Sequence, residues 1–371
     1  MGHCGGLVVY VTSHGFGHLN RSVAVINRMP LDVPVTVRSN PDLFDHWHER
    51  LRRPAKLEAH ISDVGALNPP GDSAATDGVG TLALAARVHA EASHRIDDEA
   101  SKLREEGTAA VLCDAPPLPL VAARRAGIPG FLLANFTWAD IYAPHAQKVG
   151  GDAVAFVAEL RAAYRQATAL FRCEPALRLS DIAPTIEVGM VVTPGRNRGD
   201  ELRKDLGLTK AERLVYFYVG RYGQANLGWD RLGRLAQQGV HFVGFHAPPT
   251  SALSNFHVVP PTAWTGADLA ASTNVMVAKA GYGTACEAMV AGVPMIYPPR
   301  TGFAEHRALD RALRAWGGGV PASTRAFAEL KLEPLLAKAF ALETGPPPFP
   351  ADGAARVAER LTETCRSSVR T

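Results

Sequence analysis

Cysteine is scarce in this chain: five residues among 371, at positions 4, 113, 173, 286 and 365. The number is odd and no pair has C-x-x-C spacing, which argues against a disulfide framework and a structural zinc site. No stretch approaches the ~18 consecutive apolar residues of a membrane-spanning helix. The start, Met1-Gly2-His3-Cys4-Gly5-Gly6, lacks a charged region leading into an apolar one, and it lacks the Ser/Thr of a myristoylation signal. A cytoplasmic setting is therefore expected. Neither sign of charge dominates: 39 Lys and Arg against 36 Asp and Glu leave a net +3, too even for a nucleic-acid partner. The densest basic run, Arg50-Leu51-Arg52-Arg53-Pro54-Ala55-Lys56, is open to two readings, peripheral contact with an anionic membrane face or a solvated helix end. No Asp-x-Asp occurs, the pair that would hold Mg²⁺ on a diphosphate, so no metal site and no cofactor are expected. No repeat recurs at a period of ~20–50 residues.

Periodicity is abundant. At 371 residues and 47% hydrophobic content, the chain exceeds one ordinary core, and two domains are expected. Strands are predicted at 7–11, 33–37, 109–113 and 130–134, and helices at 19–29, 82–105 and 118–126, the alternation of a doubly wound parallel sheet. Regularity breaks at 187–200, where Thr193-Pro194-Gly195-Arg196-Asn197-Arg198-Gly199 reads as a linker. It resumes with strands at 214–219, 241–245, 275–277 and 294–297 and a helix at 227–238. Pro346-Pro347-Pro348-Phe349-Pro350 is a stiff spacer before a last helix at 353–365. The expected division is 1–190, 191–345, and a tail 346–371 packing back on the first domain. Two consecutive α/β units imply a cleft, with ligands at the carboxyl ends of strands.

Two strand ends carry chemistry. Val277-Ala278-Lys279-Ala280-Gly281-Tyr282-Gly283-Thr284-Ala285-Cys286-Glu287 runs as strand, glycine turn and helix start. Gly281 and Gly283 let backbone N–H groups approach an anion. Thr284 sits at a helix N-terminus, with its free N–H groups and positive dipole end. Lys279 adds a cation, and Glu287 lies one turn on, at the reach of sugar hydroxyls. The set describes a pocket for a diphosphate joined to ribose. Gly220-Arg221-Tyr222-Gly223 reads as a second phosphate-facing turn with Arg221 as partner, or as a loop with a solvated arginine.

The other end is Thr12-Ser13-His14-Gly15-Phe16-Gly17-His18. It is not a Walker loop, since no Gly-Lys-Ser/Thr follows, and Asn20 stands where a dinucleotide fingerprint wants its third glycine. His18 is either a general base, kept neutral by the helix dipole, or a helix-capping histidine. Asp114 either accepts the other ring N–H of His18, as in a catalytic triad, or caps the helix that follows. Asn135-Phe136-Thr137-Trp138 lines an acceptor pocket or packs in the core. Glu305 reaches donor sugar hydroxyls or serves as a helix N-terminal acid.

These blocks resemble the two-domain glycosyltransferases of the GT-B fold, and within it the glycosyltransferase-like N-terminal region of L-arabinokinases and its stand-alone bacterial relatives. The carrying residues are 11–18, Asp114, Gly127-Ile128-Pro129 with 134–142, Lys279 through Ala288, and Gly292-Val293-Pro294 through Glu305. The resemblance implies two Rossmann-like domains facing each other across a cleft. It implies sugar transfer from a nucleotide diphosphate sugar, UDP-linked, to an acceptor hydroxyl. His18 and Asp114 would be catalytic. Gly17, Gly220, Arg221, Lys279, Gly281, Tyr282, Gly283, Thr284, Glu287 and Glu305 would face the donor. His14, Asn135, Phe136 and Trp138 would face the acceptor. Against the plant secondary-metabolite glycosyltransferases, Lys279 replaces a phosphate-binding histidine, Tyr282 a tryptophan, Gly283 an asparagine, Thr284 a serine and His306 a glutamine. Their base-stacking tryptophan falls on Pro261, with Trp264 out of register. Lys279 also stands where retaining members carry a glutamate, so inversion is expected. A nucleotide-sugar-binding module without transfer activity and a nucleotide-sugar 2-epimerase are the alternatives.

Overall fold

The computed structural model describes residues 5–69, 75–219, 227–250 and 253–368. The chain forms two compact units, one of residues 1–67, 77–192 and 349–371, the other of residues 68–76 and 193–348.

The first unit contains β1 (Gly6–Val11), α1 (Gly15–Ile26), β2 (Val35–Ser39), α2 (Phe44–Arg50), β3 (Lys56–Ala59), α3 (Gly78–Ser93), α4 (Ile96–Glu105), β4 (Thr108–Asp114), α5 (Leu118–Ala126), β5 (Gly130–Ala134), α6 (Trp138–Val149), α7 (Asp152–Tyr164), β6 (Ala169–Cys173) and β7 (Thr185–Gly189). The strands form a wholly parallel sheet in the order β3-β2-β1-β4-β5-β6-β7. Its central strands are short apolar runs, as strands covered on both faces must be. The second unit contains α8 (Gly199–Leu206), β8 (Arg213–Tyr218), α9 (Asp230–Arg234), β9 (Val240–Gly244), β10 (Phe256–Val258), α10 (Gly266–Ser272), β11 (Val275–Ala278), α11 (Tyr282–Ala291), β12 (Met295–Tyr297), α12 (His306–Trp316), β13 (Gly319–Pro321), α13 (Thr324–Ala328) and α14 (Glu333–Phe340). Its sheet is also parallel, in the order β10-β9-β8-β11-β12-β13. A last helix, α15 (Gly353–Ser367), belongs to the first unit and packs on α1, β1, β4 and β7.

Both sheets reverse strand order once, between β1 and β4 and between β8 and β11. In open α/β sheets such a switch point opens a crevice at the strands' carboxyl ends, where ligands bind. At the first, Val11 pairs with Asp114 and the Thr12 N–H donates to the Asp114 carbonyl at 3.2 Å. At the second, Ala278 pairs with Tyr218 and the Lys279 N–H donates to the Tyr218 carbonyl at 3.2 Å.

Several expected elements differ. The helix expected at 82–105 is two helices, α3 and α4, interrupted at His94–Arg95. Asp97, Asp98 and Glu99 crowd the first turn of α4, where acids favour a helix start. The helix expected from 19 begins at Gly15, which takes φ +70°, so Gly17 and His18 lie within the first turn of α1. The expected helix at 227–238 is the short α9 followed by a 3₁₀ turn. The basic run 50–56 is not uniformly solvated: Arg53 is buried, its guanidinium donating to the carbonyls of Met29, Pro30 and Val33.

Candidate active site

α1 leaves the carboxyl end of β1 and carries His18 over the end of β4, where Asp114 is wholly buried. The His18 Nδ1 stands 2.7 Å from Asp114 Oδ1. Three more donors converge on this carboxylate: Arg21 Nε at 3.1 Å, Arg21 Nη2, and the Ser22 hydroxyl at 2.8 Å. Burial alone would raise the Asp114 pKa, but the Arg21 and His18 charges and their hydrogen bonds outweigh it and hold it at about 2. Asp114 is therefore an ionised acceptor that favours the imidazole proton on Nδ1, which Arg21 Nη2 also approaches at 3.1 Å; with the proton there, the Nε2 lone pair is left for another. No hydrogen bond engages Nε2 among the described residues.

Arg21 was not singled out from sequence. Its guanidinium also donates to Asn135 Oδ1 at 2.8 Å and to Cys173 Sγ at 3.2 Å. It thereby ties together the carboxyl ends of β4, β5 and β6. Its spacing of three from His18, on one helix face, was the available signal.

Asn135, Phe136 and Trp138 are buried, and the two aromatic rings flank His18. Phe136 meets the imidazole edge-on at 5.5 Å between ring centroids, and Trp138 lies 6.3 Å from it. His14 is half-buried, its ring edge-on to Trp138 at 5.3 Å. The described part of the stretch 63–80 runs from a buried acid into α3. Asp63 is buried, with its Oδ2 accepting from Trp138 Nε1 at 2.6 Å, and residues from Gly78 onward are helical. Residues 70–74 lie outside the described residues.

In the second unit, the glycine turn follows β11 as expected. The Thr284 hydroxyl accepts from the Gly281 N–H at 3.1 Å and lies 3.1 Å from the Lys279 carbonyl and 3.0 Å from that of Gly281. It is engaged in building the turn. Among the described residues, a Cβ placed on Gly283 in the first turn of α11 would meet nothing within 4 Å. There the N–H groups of a helix start have no partner within the helix. Lys279 is half-buried at the end of β11, and Tyr282 is buried on α11. Glu287 is half-buried on α11 with its carboxylate beside the Tyr216 hydroxyl. A Cβ on Gly266 would lie 3.1 Å from that hydroxyl and 3.7 Å from Glu287 Oε2. Burial, and then the Glu287 charge, push the Tyr216 pKa well up. Gly220 and Arg221 lie outside the described residues.

Glu305 is buried at the start of α12 and accepts from Arg300 Nη1 at 3.2 Å. The Arg300 guanidinium lies 3.8 Å from the Phe303 ring centroid. Burial lowers the Arg300 pKa against the pull of Glu305. The expected sugar-facing acid thus has a buried arginine partner that no sequence signal marked. Trp264 is buried, with the Arg198 guanidinium 4.0 Å from its ring centroid. Among the described residues no group of three or more His, Cys, Asp or Glu side chains is arranged to hold a metal ion, and no helix is long and apolar enough to cross a membrane.

No family model matches the chain. It is 28% identical over 340 residues to the L-arabinokinase of Arabidopsis thaliana, a match covering 90% of this chain and 32% of that protein. The chain thus spans about a third of the length of the curated relative it matches. Among solved structures it is similar to the glycotransferase of kitacinnamycin, with a TM-score of 0.63 and 16% identity over 98% of this chain and 96% of that one. It is equally similar to a UDP-glucosyltransferase from Polygonum tinctorium capable of glucosylating indoxyl, with a TM-score of 0.63 and 15% identity over 99% and 95% of the two chains. For the spinosyn forosaminyltransferase the TM-score is 0.60 at 16% identity, over 99% and 95%. Spanning nearly the whole chain in each case, these likenesses show the GT-B fold, an α/β architecture of two parallel-sheet units.

Proposed function

We propose that the protein is an inverting, metal-independent glycosyltransferase that moves a sugar from a nucleotide diphosphate sugar, UDP-linked, to an acceptor hydroxyl. One observation carries this reading: His18 Nδ1 stands 2.7 Å from a buried, ionised Asp114 at the first switch point, and among the described residues no hydrogen bond engages Nε2. That arrangement suits Nε2 to take a proton from an acceptor hydroxyl, while Asp114 holds the tautomer and stabilises the imidazolium that forms. The freed oxygen attacks the anomeric carbon on the side opposite the diphosphate. The new C–O bond forms as the old one breaks, so the anomeric configuration inverts. The leaving charge falls on the N-terminal turn of α11 and on Lys279, with Arg221 as a further cation, while Glu287 accepts from the ribose hydroxyls. The solved structures of like fold include a plant glycosyltransferase complexed with UDP-2-fluoro-glucose and pterostilbene, which supports a UDP-linked donor and leaves the acceptor open.

The first experiment is a thermal-shift panel of UDP, dTDP, GDP and their sugars. A nucleotide that binds the folded state raises the melting temperature with occupancy. UDP and a UDP-sugar are expected to do so, and a Lys279→Ala variant to lose most of that shift. If no nucleoside diphosphate stabilises the wild type, the reading is wrong. Once an acceptor is found, His18→Ala should lower turnover by roughly 10²–10⁴. Full turnover in that variant would remove His18 as the base.

A second reading is a nucleotide-sugar-binding or regulatory module without transfer activity, favoured by the likeness to one region of an L-arabinokinase. It would saturate with UDP-sugar yet release no sugar. A 2-epimerase would instead convert UDP-N-acetylhexosamine with no acceptor present, which NMR of the donor detects.

A further inference from the structure

The segment between β3 and α3 packs against His14 and, through Trp138, reaches the surroundings of His18. The Asp63 carboxylate takes the Trp138 indole N–H at 2.6 Å, and the Thr12 hydroxyl and Ser13 N–H approach it as well. Two residues on, Gly65 lies under His14, where a Cβ would stand 1.7 Å from His14 Nδ1 and 2.4 Å from His14 Cβ. Trp138 is fixed at its other end too: its backbone N–H donates to the Tyr164 hydroxyl at 3.1 Å, and that hydroxyl donates to the Ala115 carbonyl at 2.7 Å. The indole so held meets His14, Phe136 and His18.

We propose that Asp63 is a positioning residue: its carboxylate locks the Trp138 indole to the Thr12–Ser13 turn and thereby fixes where the His18 imidazole stands. Its part in sugar transfer rests on the reading of His18 as the base, but the lock itself does not. Two properties make the carboxylate suited to this. It is the acceptor for a buried indole N–H that would otherwise go unsatisfied. When ionised, it is an anion within electrostatic reach of His18, and it then favours the imidazolium formed when a hydroxyl proton arrives. Burial raises the Asp63 pKa, and the bonds from Thr12 and Trp138 and the His18 charge only partly offset this. Among the titratable groups that feel its charge are the Cys113 thiol and the Tyr142 and Tyr164 hydroxyls, all neutral where Asp63 titrates, and His14 lies edge-on to the Trp138 indole that Asp63 holds.

The test uses the ¹⁵N-labelled protein without ligand. The Trp138 indole N–H resonance is assigned with Trp138→Phe and the His18 ring nitrogens with His18→Gln. In the wild type the indole resonance should step with pH at a midpoint above the ordinary carboxylate value of 3.8, and His18 should show a single Nδ1–H form when neutral. Asp63→Asn keeps an acceptor oxygen but no charge: the step should vanish while the His18 tautomer survives. Asp63→Ala should shift the indole resonance at every pH and move the His18 ring nitrogen resonances as the imidazole shifts. An indole step that persists in Asp63→Asn overturns the proposal, as do His18 nitrogens in Asp63→Ala that match the wild type. Should Asp63→Ala fail to fold, Asp63→Asn alone decides through the indole step. None of these readouts needs a donor or an acceptor, so loss of the transferase reading and loss of the lock are told apart.

Discussion

Asp114 shows what a single buried charge demands. With no exposure, its carboxylate would be unstable as an anion without counter-charge, and the Arg21 guanidinium is the foremost influence opposing the cost of burial. Arg21→Met should therefore cost more than His18→Gln, about 3–5 kcal/mol for leaving a buried charge unpaired, measured by urea unfolding at pH 7. The pH dependence has a definite sign. A carboxylate depressed from 3.8 to about 2 contributes stability that is whole above the ordinary value and is lost as pH falls through the folded one. In Arg21→Met the folded value climbs, so acid unfolding should begin at higher pH than in the wild type. An unchanged acid midpoint would mean that Ser22 and His18 suffice to hold the charge. Sequence made the histidine and the aspartate legible because each ends or follows an apolar strand. Arg21 and Asp63 were not, since a helical arginine and an acid in a Gly/Pro-rich stretch look like solvated residues until tertiary packing buries them.

At the scale of elements, the two turns that leave the switch points were readable, and their internal bonding was not. Gly281 and Thr284 were expected to face an anion. In the fold the threonine hydroxyl closes the turn onto the Gly281 N–H, a local side-chain bond of the kind that sets helix starts. Thr284→Val should therefore cost about 1 kcal/mol, as loss of a cap does, and Thr284→Ser should recover it. Chemical denaturation of the two variants checks this, and equal stability of Val and wild type would refute the cap. The segment 61–67 offers a second case. Gly65→Ala forces a methyl group into the His14 ring, an overpacking that should cost about 1–3 kcal/mol. Adding His14→Ala should relieve most of it, and a double-mutant cycle reads the coupling directly. The helix break at His94–Arg95 was missed for a related reason: apolar spacing continues through 82–105, and only the acidic first turn of α4 marks the restart.

At the scale of the whole molecule, two sheets with separate cores imply two cooperative transitions, and the chain's end belongs to the first of them. α15 buries Ala354, Val357, Ala358, Leu361 and Cys365 against the first sheet and α1. Before it, the backbone runs beside β7, with the Met190 N–H donating to the Pro350 carbonyl at 2.7 Å and the Gly353 N–H to the Met190 carbonyl at 3.1 Å. A Cβ on Gly353 would lie 2.6 Å from two carbonyl oxygens, those of Val188 and Met190, so glycine is required for that approach. Burial of the valine and leucine alone, at roughly 1.5–3 kcal/mol each, with the smaller side chains, puts the contribution of α15 on the order of 5 kcal/mol. Deleting residues 349–371 should then lower one calorimetric transition by about 10 °C or more and leave the other nearly in place. UDP should raise only the transition that the deletion spares, because the glycine turn lies in the second unit. A single transition that falls as a whole on deletion would show that the units unfold as one. A UDP-dependent rise in the weakened transition would place the nucleotide on the first unit and overturn the division of labour between the two sheets.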